Sequence, residues 1–258
     1  MPAVTQYQVR DIDVRLFQAG TGTPVLFLHG AAGVPPWDAF FDSLAARHQV
    51  LLPEHPGFGS DKHASKIRNI ADLAMYYLDF LDTLPGPVHL IGHSLGGWTG
   101  AEIAVRNCSR LKSLTLIAPS GLRVKGTLTG DNFIWNSEEL QRNLYYDQRF
   151  ADAVLARTLT EEEADIVLTN RFMAARLGWE PRWFNPALER WLHRISIPSL
   201  LIWGEDDKLI PAAYAQKWAQ LVPGMRVETF AECGHIPFVE KADQVAKLVL
   251  EFLEGGPK

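Results

Sequence analysis

The apolar run Val88-His89-Leu90-Ile91 passes directly into Gly92-His93-Ser94-Leu95-Gly96-Gly97, and the residues from Leu95 to Val105 read as helix. A strand that turns at once into a helix needs small residues on both sides of the turn, because larger side chains would collide with the tightly folded backbone. Such a turn pushes the serine hydroxyl outward and places it at a helix N-terminus. The unpaired N–H groups and the positive end of the helix dipole there favour negative charge. The local chain therefore specifies a strand-turn-helix unit of an α/β sheet, with Ser94 presented where an oxyanion would be stabilised.

A serine alone is a weak nucleophile and needs a base, which in turn needs an acid to orient it. On this scaffold the partners follow in the order serine, acid, histidine, each on a loop after a strand. Ser199-Leu200-Leu201-Ile202-Trp203 is an apolar strand, followed by Gly204-Glu205-Asp206-Asp207-Lys208-Leu209-Ile210-Pro211. Arg226-Val227-Glu228-Thr229-Phe230 leads into Ala231-Glu232-Cys233-Gly234-His235. The order is met, with His235 as the candidate base and the carboxylates after Gly204 as candidate acids.

These motifs resemble those of the α/β-hydrolase fold superfamily, in its branch of capped serine esterases, lipase-like enzymes and C–C bond hydrolases. The resemblance runs from about residue 15 to about residue 254, with a weakly constrained stretch between about 121 and 190. The family's acid lies in a G-x-x-D-x-x-x-P pattern, matched by Gly204, Asp207 and Pro211, which selects Asp207 over its neighbour Asp206. Its histidine lies in a Gly-His pair followed by an acidic residue, matched by Gly234-His235 and Glu240. A rival acid position after the preceding strand reads Pro119-Ser120-Gly121 and holds no carboxylate. The resemblance also implies an oxyanion hole, with one donor the N–H of Leu95. The second belongs to the loop after Val25–Leu28, His29-Gly30-Ala31-Ala32-Gly33, with Ala31 ahead of Ala32 as donor. Catalytic Ser94, His235 and Asp207 imply hydrolysis of carboxylic esters through an acyl-Ser94 intermediate, without metal or cofactor. The same scaffold also supports C–C cleavage of vinylogous diketones, perhydrolysis, cyanohydrin cleavage and slow-turnover ligand reception. Relatives that cleave C–C bonds usually carry an aromatic residue after the Gly-His pair, where this chain has Ile236.

Strand patterns near 25–28, 50–53, 88–92, 113–118, 199–203 and 226–230 alternate with helical ones, after a hairpin over Tyr7–Val9 and Val14–Gln18. That alternation predicts a mostly parallel, doubly wound sheet covered on both faces. Asn69, with Asp72 three residues on, is a predicted N-cap before Leu73, Tyr76, Tyr77, Phe80 and Leu81. Between 121 and 190 the alternation stops, and helices are predicted over Ser137–Phe150 and Thr160–Leu177, the second opened by the capping box Thr160-x-x-Glu163. The expected organisation is a hydrolase core of residues 1–120 and 191–258 with a helical cap at 121–190. Phe133, Trp135, Tyr145, Trp179 and Trp183 of the cap, with His29, His93 and Ile236, are candidates for an apolar substrate pocket. The segment Leu52–Ser60 is read as a structural turn, with His55 a candidate for the pocket mouth. Asn170-Arg171 resembles the site of an arginine that C–C hydrolases use for substrate carboxylates.

Composition narrows the partners. A formal charge of -5 over 258 residues, without long basic runs, argues against nucleic acid. No apolar stretch is long enough to span a bilayer, and the first residues lack the basic-then-apolar pattern of a secretory signal. Cys108 and Cys233 are too few for a disulfide scaffold, so a cytosolic protein is expected, while a small-molecule ester substrate is what the resemblance implies. No cysteine and histidine cluster has zinc spacing.

Overall fold

The computed structural model describes residues 1–60 and 66–255. Its eight strands are β1 (Ala3–Val9), β2 (Ile12–Ala19), β3 (Pro24–Leu28), β4 (Gln49–Pro53), β5 (Val88–His93), β6 (Leu111–Ile117), β7 (Ser199–Gly204) and β8 (Arg226–Phe230). They form one sheet in the order β1-β2-β4-β3-β5-β6-β7-β8. Pairings β1–β2 and β2–β4 are antiparallel, and every pairing from β4 through β8 is parallel. The fold is the expected mostly parallel α/β sheet.

The period of two in each central strand divides its side chains between two cores. Leu26, Leu28, Leu90, Leu114, Leu116, Leu201 and Trp203 face a layer that includes α2 (Ile70–Thr83), α3 (Leu95–Arg106) and α7 (Ala213–Leu221). Val25, Phe27, Ile91, Ile117, Leu200 and Ile202 face α1 (Ala39–Ala45), α8 (Pro237–Glu240) and α9 (Ala242–Leu253). Burial on both faces explains why these strands are apolar runs rather than alternating ones. Phe27 makes edge contacts with Phe40, Phe41 and Phe238 at 5.0–6.2 Å, which locks α1 and α8 to the same strand. Asn69 caps α2 through the N–H of Asp72, as its sequence predicts.

Between β6 and β7 the chain makes α4 (Ser137–Leu144), α5 (Gln148–Leu155) and α6 (Glu161–Gly178). The ends of this segment lie side by side, because Gly121 N–H donates to Trp183 O and Asn185 N–H donates to Gly121 O. Asn185 Nδ2 also reaches the buried Glu102 of α3 at 2.7 Å. Thr160 and Glu163 form the anticipated capping box. The single helix expected over Ser137–Phe150 is instead two. Its interruption at Tyr145–Asp147 has a cause outside the segment: Glu240 Oε2 accepts the N–H groups of Tyr146 and Asp147 at 2.8 and 2.9 Å. Asp147 then caps α5 through the N–H of Arg149. Periodicity within the segment carries no trace of that distant carboxylate.

Candidate active site

Ser94 occupies the junction of β5 and α3 with φ 52° and ψ −113°. A non-glycine residue in this region stores ~1–3 kcal/mol of strain, maintained only by surrounding structure. Here the surroundings are explicit. Ser94 N–H donates to Ile117 O at 2.9 Å, and its carbonyl accepts from Trp98 and Ser120 N–H at 3.0 and 3.2 Å. Two residues on, the first turn of α3 presses on β3, and a Cβ on Gly96 would collide with the Leu28 carbonyl oxygen. Glycine is required there to let helix and strand approach. Leu95, fully buried, is the first residue of α3, where an N–H has no partner within the helix.

The loop of residues 205–211 follows β7. Asp207 is 4% exposed; its Oδ1 accepts the N–H groups of Leu209 and Ile210 at 2.9 and 2.8 Å, and its Oδ2 meets His235 Nδ1 at 2.7 Å. Asp206 and Glu205 are exposed; the Asp206 N–H ties the loop to the Cys233 carbonyl at 3.0 Å. Of the three carboxylates in a row, only Asp207 faces the histidine. Because Nδ1 of His235 donates to a carboxylate, the neutral ring leaves Nε2 unprotonated. That nitrogen is buried and has no hydrogen-bond partner among the described residues.

Two contacts fix the histidine loop. His235 N–H donates to Leu144 O at the end of α4, and His93 Nε2–H donates to His235 O at 3.0 Å. The residue before Ser94 therefore holds the His235 loop directly. Glu240 adds a third support: its Oε1 accepts Gly234 N–H at 2.7 Å while Oε2 holds Tyr146 and Asp147. Burial pushes the Glu240 carboxyl up, although the backbone N–H groups it receives pull the other way.

The His29–Gly33 loop is a tight turn closed by Gly33 N–H to Gly30 O at 3.1 Å. His29 Nδ1–H donates to the same Gly30 carbonyl at 2.7 Å, and its Nε2 accepts His55 N–H at 2.9 Å. His55 Nε2–H donates to His29 O at 2.9 Å, so its Nδ1 accepts from Tyr77 O–H at 2.5 Å. His29 accepts the His55 N–H only while its ring is neutral, and with His55 also neutral every donor from Tyr77 through His55 and His29 to Gly30 finds its acceptor. Burial pulls His29 down to about 4 and His55 well below the ordinary imidazole range, and pushes the Tyr77 hydroxyl well up. Burial, with His235 close by, pulls His93 to about 3. A trans peptide points its N–H opposite its C=O. With the Gly30 carbonyl doubly held, the Ala31 N–H is turned outward from the turn.

The candidate pocket residues separate. Phe133 stacks on Trp183 at 5.2 Å and lies against Trp179 at 5.4 Å, with Arg182 over Phe133 and Trp179. Trp135 packs on Gly130. Tyr145 stacks on Phe150 and shares a cluster with Leu144, Ala151 and Ile236, beside His235. His29 gives both ring nitrogens to backbone groups and keeps none for a ligand. His93 gives Nε2 to His235 O. His55 is fully buried between His29 and Tyr77, so the expectation that it lines a pocket mouth is corrected. Arg171 is exposed and donates to Ser137 Oγ, so it does not enter this site. Sequence reasoning passed over Asn170 as a contact residue and Tyr77 as the end of the relay. The detectable signal was a polar side chain at position 170 on the buried face formed by Met173, Ala174 and Leu177.

Among the described residues, no three His, Cys, Asp or Glu side chains are grouped to hold a metal ion. Nor is any described helix long and apolar enough to cross a membrane.

The model of the Alpha/beta hydrolase family matches residues 25–248. The dihydrolipoyllysine-residue acetyltransferase component of an acetoin cleaving system from Pseudomonas putida is 30% identical, over 98% of this chain and 70% of that protein. A 2-hydroxy-6-oxononadienedioate/2-hydroxy-6-oxononatrienedioate hydrolase from Burkholderia vietnamiensis is 29% identical, over 94% of this chain and 91% of its own length. A pimeloyl-[acyl-carrier protein] methyl ester esterase from Nitrosomonas europaea is 28% identical, over 90% and 96%.

Proposed function

The chain belongs to the alpha/beta hydrolase family, and on that premise we propose that it cleaves carboxylic esters of small to medium, mainly apolar substrates through an acyl-Ser94 intermediate. One observation carries the reading: His235, bound through Nδ1 to a buried Asp207, keeps a bare, buried Nε2 on a loop held by the residue adjoining Ser94. In this reading Nε2 takes the Ser94 proton as Oγ attacks the ester carbonyl. The oxyanion is met by the N–H of Leu95 and that of Ala31, with Ala32 the alternative second donor, in a site where burial strengthens each bond. Collapse expels the alcohol, which takes the proton from Nε2 and leaves acyl-Ser94. Water then attacks the acyl carbon as it gives a proton to His235 Nε2, and collapse returns that proton to Ser94 Oγ, releasing the acid and free Ser94. The helices between β6 and β7 serve as the cap that excludes water.

C–C cleavage, as named for the Burkholderia protein, is the second reading, favoured by that relative's coverage of nearly the whole chain. The charges of the helical segment speak for uncharged acyl groups instead. Arg142, Arg149, Arg157 and Arg182 are paired with Asp152, Asp147, Glu163 and Asp131, and Arg176 holds the Ile67 carbonyl. None of them is buried awaiting a substrate carboxylate. The test is hydrolysis of p-nitrophenyl esters from acetate to dodecanoate by wild type and Ser94→Ala, beside 2-hydroxy-6-oxononadienedioate. Ester turnover that falls about 10⁴-fold in Ser94→Ala is expected. Retention of most of the rate by Ser94→Ala sinks the reading, and serine-dependent cleavage of the dienedioate alone replaces it with the second.

A further inference from the structure

We propose that Asn170 is a positioning residue: it couples helix α6 to the Gly30–Gly33 turn and so holds the turn's outward N–H groups in place. The proposal rests on the acyl-Ser94 reading for its chemical consequence, but the coupling is a property of the fold. Asn170 is 5% exposed, on the inner face of α6. Its Nδ2 donates to Ala32 O at 2.8 Å and its Oδ1 accepts Gly59 N–H at 2.7 Å. One partner is an acceptor and the other a donor, so the amide orientation is fixed and neither Asp nor Leu can reproduce it. More than 100 residues separate it in sequence from either partner.

The turn is shaped to receive this amide. Gly33 has φ +96°, a backbone state costly for other residues, and a Cβ there would collide with Asn170 Nδ2. The peptide between Ala32 and Gly33 is held at both ends, its N–H on Gly30 O and its C=O on Asn170. At the start of the turn, His29 and Gly33 hold the Gly30 carbonyl. Ala31 and Ala32 lie between these two clamped peptides. One clamp comes from the core through the Tyr77–His55–His29 relay; the other comes from the inserted helices through Asn170. The oxyanion-side geometry therefore depends on α6 being seated.

The experiment compares wild type, Asn170→Asp, Asn170→Ala and, as an exposed neighbour, Arg171→Ala. Amide hydrogen exchange reads the coupling without substrate. In Asn170→Asp the Gly59 amide keeps its acceptor while the Gly33 amide is expected to exchange faster; in Asn170→Ala both accelerate. Unchanged Gly33 exchange in both variants overturns the proposal. Turnover is then followed with matched p-nitrophenyl ester and thionoester substrates. Loss of oxyanion alignment is expected to lower kcat for the ester about 10²-fold, the scale of one lost donor, with KM changed only a few-fold. The thionoester, whose sulfur accepts hydrogen bonds weakly, should lose less, so the ester-to-thionoester ratio falls. A fall in both rates with that ratio unchanged marks Asn170 as a mere structural anchor and overturns the positioning role. Should Asn170→Ala fail to fold, the near-isosteric Asp variant decides both points by the same two measurements. Accelerated Gly33 exchange in a protein whose wild type lacks serine-dependent turnover retains the coupling and rejects the acyl-Ser94 reading instead.

Discussion

The scaffold of the site is built on neutral imidazoles, which predicts a steep loss of stability in mild acid. An unfolded histidine takes its proton as pH falls past 6.5, its ordinary value, whereas the folded chain resists until about 4 at His29 and about 3 at His93. Folded pKa values below unfolded ones mean stability that is whole above 6.5 and drains as pH falls through that window. At pH 5, 1.5 units below 6.5, each such residue contributes a loss of ~2 kcal/mol at 1.36 kcal/mol per unit. His29 and His93 together remove ~4 kcal/mol, and His89, held by Ser113 and pulled to about 4 by burial, removes up to ~2 more. His55 adds in the same direction. Glu240 and Asp38, whose carboxyls burial pushes up, bind protons more readily folded than unfolded and offset part of this. The ~4 kcal/mol from His29 and His93 alone is a large share of the ~5–15 kcal/mol that usually separates native from unfolded chains. Urea unfolding followed by tryptophan fluorescence at pH 7.5, 6.5, 5.5 and 5.0 measures it directly, with the midpoint falling at a nearly constant slope. His89→Gln, remote from Ser94, should flatten the curve while leaving turnover at pH 7.5 intact. A stability that changes by less than ~1 kcal/mol between pH 7.5 and 5.0 refutes the neutral-ring argument.

Substitutions at three positions probe other parts of the fold. Ser94→Gly should abolish ester turnover yet melt above Ser94→Ala, by the equivalent of ~1 kcal/mol, because glycine relieves the φ 52° strain; equal melting temperatures contradict the strain. Glu240→Ala leaves three backbone N–H groups without their acceptor and should cost at least ~1–3 kcal/mol. Glu240→Gln, which keeps an acceptor oxygen, should retain more of the stability, and a wild-type melting curve for the Ala variant rules the bridge unimportant. Gly96→Ala should prevent the packing of α3 on β3; a soluble variant with native near-ultraviolet circular dichroism and wild-type turnover shows that the close approach is not required.

The order of strands and helices was legible because it is written locally. Apolar runs with both faces buried, the Asn69 cap and the Thr160 capping box all act within a few residues of themselves. So was the placement of Ser94, since the elbow needs glycine on neighbouring positions. The choice of Asp207 over Asp206 came from a family pattern, and the contact with His235 gives it a physical basis that spacing alone lacks. What could not be read is what single side chains do across long separations. Glu240 ends α4 from more than 90 residues away, Asn170 fastens two loops of the core, and His55 turns inward to Tyr77 instead of facing a ligand. Glu240 and Asn170 are polar groups whose partners are backbone atoms, and backbone atoms carry no sequence signature.

The same feature has a consequence for how this hydrolase can change. The segment between β6 and β7 touches the site at Leu144 and the Glu240 bridge on the histidine side, at Gly130 on the Leu209 carbonyl of the Asp207 loop, and at Asn170 on the turn side. These contacts are made mostly to backbone; among the aromatic side chains of the segment, Tyr145 packs with Leu144 and Ile236 beside His235 and Trp135 packs at Gly130, so those two are tied to the site. Phe133, Trp179 and Trp183 pack on one another and on Arg182, with Trp183 also against the main core; if they line the proposed acyl pocket, substrate range is expected to shift there while the positioning of Ser94, His235 and the turn stays intact. Trp183→Leu should therefore move the chain-length optimum of the ester series, or KM, before it lowers the kcat reached with the best substrate. A kcat collapse on every ester with an unchanged KM would place Trp183 among the groups that hold the site and refute this separation of roles.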